Sequence, residues 1–510
     1  MDRSVPTTAT TSVPQTDGDL IFNKEPPNVE FGRIDAVTTT DPLRLGSDHD
    51  SPDAENVCQE YSPSECSDGE TFASSELLQL VVSTLCSSFF DVFHPVMPII
   101  SRSRFQRQLA EDPSSIQLQA LSYAIGALGA LAVPELGIPL DSCYHQARHL
   151  LDLCERQEDK AKFADIRMVQ ACIFLSLYEF RRPNPARAWV TLGRAIRLGQ
   201  VISLDTSENH TGWSSYSGQF SPLSPPSGPE EVQERRRTFW LLYLLDGHTI
   251  MGGNLNSFFH DRQISIPLPS PSSLTSTVEG CNMPTLEQAF EIQEATNLSA
   301  FAGNIMVASI YRRCLDHMTS WTQVPLYPFW DTYYRIDNMI THCRDNLFVE
   351  NLYFESHKAD RPLSIILRVN LAAVAISLHE TAMAKVENEQ LPKSLWNEAA
   401  TKCQSASQEI EEGMRCSMRL GPPESMIIRH SSVFYMWALT KAIAAQAKML
   451  EHHQNITPAR INGLRALTKL ARELIAPEHV DLKLLEQVDN KLADAEALRK
   501  KRGYQQLSGF

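Results

Sequence analysis

The chain has 510 residues, 43% of them hydrophobic, which is enough to bury a sizeable core in one large domain or in two to four smaller ones. Its net charge of −15 argues against a broad phosphate-binding surface, which needs a basic excess. No stretch reaches the ~20 uninterrupted apolar residues of a membrane helix, because Ala124 to Val133 is too short and Ile365 to Leu378 contains Arg368 and Asn370.

Residues 1–70 hold fifteen carboxylates against Arg3, Lys24, Arg33 and Arg44, a local balance of −11, so the remainder is nearly neutral. This region is rich in Thr, Ser, Pro and Asp, with too few large apolar groups to offset the entropy of ordering it. The expectation is a disordered acidic segment over 1–73, and "DLIFNKEPPNVEF" and "VCQEYSPSEC" set isolated apolar residues among acids, as an interaction segment would. From Ser74 the period turns helical: Leu78, Val81, Val82, Leu85, Phe89, Val92 and Phe93 recur at spacings of three and four, with Ser74 or Ser75 as a cap. That helix should end near His94, because Pro95 disfavours helical geometry before it, and Pro98 keeps the next stretch extended. Phe89, Phe90, Phe93 and Phe105 then close over a core, and His94, at a helix end, would be favoured by the negative terminal dipole if protonated.

Further helices are predicted over 117–132, 141–157, 165–180, 186–202, 231–251, 287–319, 330–348, 362–387, 393–416, 426–452, 457–475 and 481–500. The runs "FSPLSPPSGP" and "PLPSPSSLTS" read as loops, and no period-two alternation supports a strand. An all-α fold follows: a helical core domain over 74–270, a loop over 271–286, a C-terminal helical part over 287–500 packed on that core, and a tail over 501–510. On the helix from 186, Trp189, Leu192, Gly193 and Ile196 share a face, where Gly193 would admit a close neighbour. On the helix from 231, Phe239, Leu242, Tyr243 and Ile250 form a stripe with Asp246 beside it, an acid that needs a partner if buried, with Arg194, Arg197 or one of Arg235 to Arg237 to supply it. Arg235, Arg236 and Arg237 point about 100° apart, which suits capping and packing better than a phosphate contact.

Four segments in order resemble the fungal-specific transcription factor domain, the helical regulatory region of fungal zinc-cluster regulators. They are "FFDVFHPVMPIISRSRF", with Phe90, Phe93, His94, Pro95, Pro98 and Phe105; "CYHQARHLLDLC" with "DIRMVQACIFLSLYEF", which includes Gln170; "AWVTLGRAIRLGQVISL", with Trp189 and Gly193; and "ERRRTFWLLYLLDGHTIMGG", with Arg235, Arg236, Arg237, Trp240 and Asp246. Two departures stand out: Gly253, Asn254 and Leu255 replace the family's Gly-Arg-Pro, and Ile202, Ser203 and Leu204 replace its Leu-Gly-Leu. The resemblance implies a nuclear transcription regulator that acts through the transcription machinery or a DNA-binding partner protein, as a homo- or heterodimer, with a small-molecule effector. It also implies a six-cysteine zinc cluster, yet the region ahead of Leu77 offers only Cys58 and Cys66 in an acidic setting. Zinc, and with it direct DNA contact, is therefore not expected of this chain, and the eleven scattered cysteines form no ladder of metal spacing. Arg499, Lys500, Lys501 and Arg502 form a basic tetrad of nuclear-import type, with the cytoplasm as the alternative location.

An enzyme is not expected. The sequence lacks a nucleotide-binding glycine loop, a nucleophile elbow and a His-Glu-x-x-His pair, and it has no Asp-Asp pair for the metal-diphosphate chemistry of helical prenyl-transferring enzymes. The competing expectation is a helical small-molecule-binding or scaffold protein outside transcription.

Overall fold

The computed structural model describes residues 82–136, 140–157, 165–182, 186–204, 223–253, 256–271, 282–292, 298–348, 361–451, 457–474 and 482–507. The acidic segment expected over 1–73 and the helix start expected at Ser74 lie outside them. Within them the fold is helical throughout, and the one strand-like feature is an isolated antiparallel bridge between Pro267 and Thr285.

The first helix, α1 (Val82–Val92), stops where the sequence dictates: Phe93 to Val96 form turns ahead of an extended Pro98–Ile100 stretch. The next helix, α2 (Arg102–Glu111), was not expected from the pattern, since its apolar side is only Phe105 and Leu109, one turn apart. Ser101 caps it by accepting from the Arg104 amide at 3.3 Å. Then come α3 (Ile116–Ala132), α4 (Leu140–Glu155), α5 (Ile166–Glu179), α6 (Ala186–Val201) and α7 (Pro229–Gly253). Helices α4 and α5 both pack on α3, and α6 packs on α5. Gly129 in α3 is where the chain demands the absence of a side chain, because a Cβ there would stand 1.9 Å from the Leu85 carbonyl oxygen of α1.

Two predicted helices divide. The one expected over 287–319 is α8 (Leu286–Glu291), opened by a Thr285–Gln288 capping box, and α9 (Ala300–Ser320), opened by Ser299. The one expected over 426–452 is α13 (Glu424–His430) and α14 (Met436–Glu451), separated by a 3-10 turn at Ser432–Phe434. Between them lie α10 (Leu326–His342), which ends in a π turn at Cys343–Leu347, then α11 (Arg361–Asn388) and α12 (Lys393–Met418). Helices α15 (Pro458–Leu474) and α16 (Leu482–Leu507) complete the chain.

Helix α11 is long and apolar enough to cross a membrane, despite Arg368 and Asn370, yet its side chains are mostly buried and α9, α10, α12 and α14 pack around it. It is the axis of the C-terminal half. A single core of contacting buried residues runs from Leu85 in α1 to Ala495 in α16, so the two halves share one interior.

Candidate functional site

The Pro98–Ile100 stretch presents backbone carbonyls that no helix uses, and two side chains take them. His94 Nε2 donates to the Ile100 carbonyl at 2.7 Å. Burial pushes its pKa down to about 4, against the pull of that hydrogen bond, so the ring is neutral at pH 7. The helix-end dipole, which would favour a protonated ring, thus has no cation to act on. Gln170, fully buried in α5, sends Nε2 to the Ile99 carbonyl at 3.2 Å, to Glu234 Oε1 at 3.1 Å and to Thr238 Oγ1 at 3.2 Å. One amide therefore joins the first motif to α5 and α7. Phe90, Phe93 and Phe105 are buried, with the Phe90 and Phe105 rings 5.8 Å apart.

Around this amide lies a polar cluster. Arg104 of α2 bridges Glu231 Oε2 at 3.0 Å and Glu234 Oε2 at 3.3 Å, and Ser101 donates to Glu230 Oε1 at 2.5 Å. Burial works to raise Glu231, but two hydrogen bonds from Ser227 and the guanidinium groups of Arg235 and Arg104 outweigh it and hold the carboxyl at about 2. Burial pushes Glu234 up to about 7, against Arg104 and the Gln170 amide. Two carboxyls three residues apart thereby differ in protonation near neutrality. Beside them opens a cavity of about 320 Å³ lined by Arg104, Arg107, Ser227, Gly228, Pro229, Glu230 and Glu231. Its walls carry both signs of charge and are polar, which suits a small polar ligand rather than an apolar one.

The second buried network sits where α7 meets α9. Asp246 Oδ2 accepts from Arg312 Nη2 at 3.1 Å, from Ser257 Oγ at 2.7 Å and from the Phe258 amide at 3.3 Å. Arg312 also donates to the Tyr243 carbonyl at 3.0 Å and lies 3.9 Å from the centre of the Tyr243 ring. Next to it, Asp261 accepts from Tyr243 Oη at 2.7 Å and Ser309 Oγ at 2.5 Å. This clasp fixes the stretch that follows Gly253, Asn254 and Leu255, so the departure from the family's pattern there is bordered by a rigid anchor.

The partner of Asp246 is therefore Arg312, 66 residues away, and none of the arginines weighed from the sequence. Arg194 instead pairs with Glu155 at 2.6 Å, Arg235 with Glu231 at 2.6 Å, and Arg237 donates to the Ser270 carbonyl at 3.0 Å; Arg236 is buried. Trp240 is fully buried and donates to the Pro267 carbonyl at 2.9 Å. Trp189 is half-buried, and Gly193 faces no close helix, since a Cβ on it would meet only Phe258 Cζ at 3.9 Å. Arg499, Lys500, Lys501 and Arg502 fall within α16, with side chains outside the described residues. Arg104, Glu230, Glu231, Glu234, Ser257, Asp261 and Arg312 escaped sequence reasoning. The Glu230, Glu231 and Glu234 spacing, with Arg104 six residues after Pro98, offered no periodic signal.

The described cysteines do not fit a zinc cluster. Each is a free thiol, all but Cys416 are buried, and burial pushes Cys86, Cys172 and Cys343 up to about 12, the opposite of metal-ready thiolates. Among the described residues no three His, Cys, Asp or Glu side chains come together to hold a metal ion.

Comparison with protein-family models matches residues 86–364 to the fungal specific transcription factor domain, and the chain belongs to that family. Its relatives include the depudecin biosynthesis cluster-specific transcription activator of Fusarium langsethiae, 28% identical over 387 residues, covering 73% of this chain and 59% of the relative. The activator of the same name in Alternaria brassicicola is 29% identical, covering 71% and 56% respectively. The azaphilone cluster-specific transcription factor of Aspergillus niger is 29% identical, covering 52% and 58%. The chain thus spans rather more than half the length of these relatives. No solved structure matches.

Proposed function

We propose that this chain regulates transcription of a set of biosynthetic genes from the nucleus, with its helical domain acting through protein contacts. The observation that carries the reading is the family match over residues 86–364, which contains all four sequence motifs, joined to relatives named as cluster-specific transcription activators. Recruitment to promoters is assigned to the transcription machinery or to a DNA-binding partner protein. The acidic residues 1–70 are assigned contact with that machinery, and Arg499 to Arg502 are assigned nuclear import. No zinc chemistry is assigned to this chain, and no catalytic step is assigned to it. Deleting the gene in its host and profiling transcripts tests the reading: coordinated loss of a contiguous group of biosynthetic transcripts is expected, and an unchanged profile under producing conditions would overturn it.

The cavity between α2 and the start of α7 supports a further element, a small polar effector. A ligand there would contact Arg104 and Glu231, and through Glu234 and Gln170 its binding would bear on the first motif. Binding to the native state alone must raise stability, so a host metabolite that shifts the unfolding midpoint of the wild type, and shifts it less in Arg107→Ala, is the expected result.

A further inference from the structure

We propose that Ser224 is a phosphorylation site and that Arg235 holds the phosphate. A proline-directed kinase reads a Ser-Pro or Thr-Pro step, and among the described residues Ser224, Ser270 and Thr457 are each followed by proline. Their hydrogen bonds and exposure tell them apart. Ser270 is 2% exposed, and its amide donates to Gln233 Oε1 at 3.0 Å. Thr457 is exposed, but its hydroxyl oxygen accepts from the Arg460 amide at 3.4 Å at the start of α15. Ser224 is exposed, and its hydroxyl makes no hydrogen bond to any described residue. It stands in the non-helical stretch 223–226 ahead of α7, where Pro225 and Pro226 hold the backbone extended. A free hydroxyl on exposed, extended backbone is what a kinase cleft takes.

The group that receives the phosphate is already beside this serine. Arg235 Nη2 of α7 donates to the Ser224 carbonyl at 2.7 Å and to Glu231 Oε1 at 2.6 Å. The side chain is 16% exposed, and its Nε is buried with no hydrogen-bond partner. Leaving an N–H of a buried guanidinium unpaired costs stability, so such groups are few. Covalent geometry keeps a serine hydroxyl within about 5 Å of its own carbonyl oxygen. A phosphate on Ser224, with its three acceptor oxygens, therefore reaches the same guanidinium and offers a charge-assisted partner to the donors that Ser224 and Glu231 leave unused. Of the three arginines in this run Arg235 alone serves, since Arg236 is buried and Arg237 donates to the Ser270 carbonyl at 3.0 Å. Glu231 does not depend on Arg235, because Arg104 stands 3.0 Å away and the Ser227 amide and hydroxyl donate to it at 3.1 and 2.7 Å. Glu231 also lines the cavity beside α2, so a phosphate that draws on Arg235 alters the charge on that wall. In the transfer, Ser224 Oγ attacks the γ-phosphorus of ATP held by the kinase. The new O–P bond forms as the bond to the β,γ-bridging oxygen breaks, ADP leaves with that electron pair, and the hydroxyl proton passes to the kinase's base.

Peptide mapping by mass spectrometry of the protein purified from its host is expected to find phosphate on Ser224 and none on Ser270. An unmodified Ser224 under both producing and non-producing growth overturns the site. The contact with Arg235 is read on the full chain carrying Ser51→Ala, Ser62→Ala and Ser221→Ala, which removes the Ser-Pro steps outside the described residues. This chain is treated with a proline-directed kinase and ATP, beside a Ser-Pro peptide as control, and titrated by phosphorus NMR. An unmodified Ser224 beside a modified control also overturns the site. A free phosphoserine loses its second proton near pH ~6, and an arginine in contact is expected to lower that to ~5.5 or below. Arg235→Gln, checked for folding by far-UV circular dichroism, is expected to return it to ~6. A value of ~6 or above with Arg235 in place overturns the assignment of Arg235, whether or not the variant folds, and so does a low value that Arg235→Gln leaves unchanged.

Discussion

Replacing Arg312 by alanine strands Asp246 in the interior, and the size of the penalty follows from the geometry. The two side chains are 10% and 2% exposed, so the carboxylate cannot recover its lost partner from water. Breaking a buried pair by removing one member costs about 3–5 kcal/mol. Ser257 and the Phe258 amide still donate to Asp246, which places the expected loss near the lower end, ~3 kcal/mol, against a total of about 5–15 for a folded domain. In urea unfolding followed by tryptophan fluorescence, that loss lowers the midpoint by roughly 1 M if the slope is about 3 kcal/mol/M. Combining Arg312→Met with Asp246→Leu removes both charges and fills similar volume, so the double variant is expected to be more stable than Arg312→Ala alone. A loss under ~1 kcal/mol for Arg312→Ala, or a double variant carrying the full sum of the single losses, would refute the account of this clasp.

Other expectations are briefer. Gly129→Ala forces a methyl group into the Leu85 carbonyl and should cost more than ~3 kcal/mol, whereas Gly193→Ala meets only an ordinary contact with Phe258 and should stabilise α6 by up to ~1 kcal/mol; urea unfolding of both variants distinguishes them. His94, held near 4 in the native state, takes up its proton earlier when unfolded, so its contribution to stability is full above pH 6.5 and falls as pH drops toward 4; His94→Gln should flatten that acid limb of a midpoint-against-pH curve. Glu234 acts in the opposite sense: raised to about 7, it costs stability as pH climbs from 4.5 to 7, so Glu234→Gln should gain on the wild type at pH 8 relative to pH 5. Deleting residues 1–70 from a chain tethered to DNA upstream of a reporter should lower output several-fold, and unchanged output would remove the activation role assigned to that segment.

Long, continuously apolar helices were legible in the sequence because a helix packed on nearly every side needs such a run. Helices such as α5 and α11 stand within a residue or two of their expected ends. The turn after α1 was legible for a different reason, the local geometry of Pro95 and Pro98. What stayed hidden was of two kinds. Helix α2 has an apolar side of only two residues, Phe105 and Leu109, too short to stand out, and the splits between α8 and α9 and between α13 and α14 depend on caps and a 3-10 turn inside apolar sequence. The site was hidden because its bonds are remote: Gln170 to Ile99, Arg104 to Glu234 and Asp246 to Arg312 span 66 to 130 residues, and tertiary packing alone chooses among several arginines. The short side of Gly193 looked like a close helix contact, yet the close contacts fall at Gly129 and Gly303, which lie in helices apolar on nearly every side.

The central claim, that the chain acts on transcription, is tested most directly by chromatin immunoprecipitation of the tagged full-length protein expressed from its own locus. Enrichment at the promoters of a contiguous set of biosynthetic genes is the predicted result. Absence of enrichment under producing conditions, with the protein present and folded, would contradict the claim and leave a helical binding protein that shares only the family's fold.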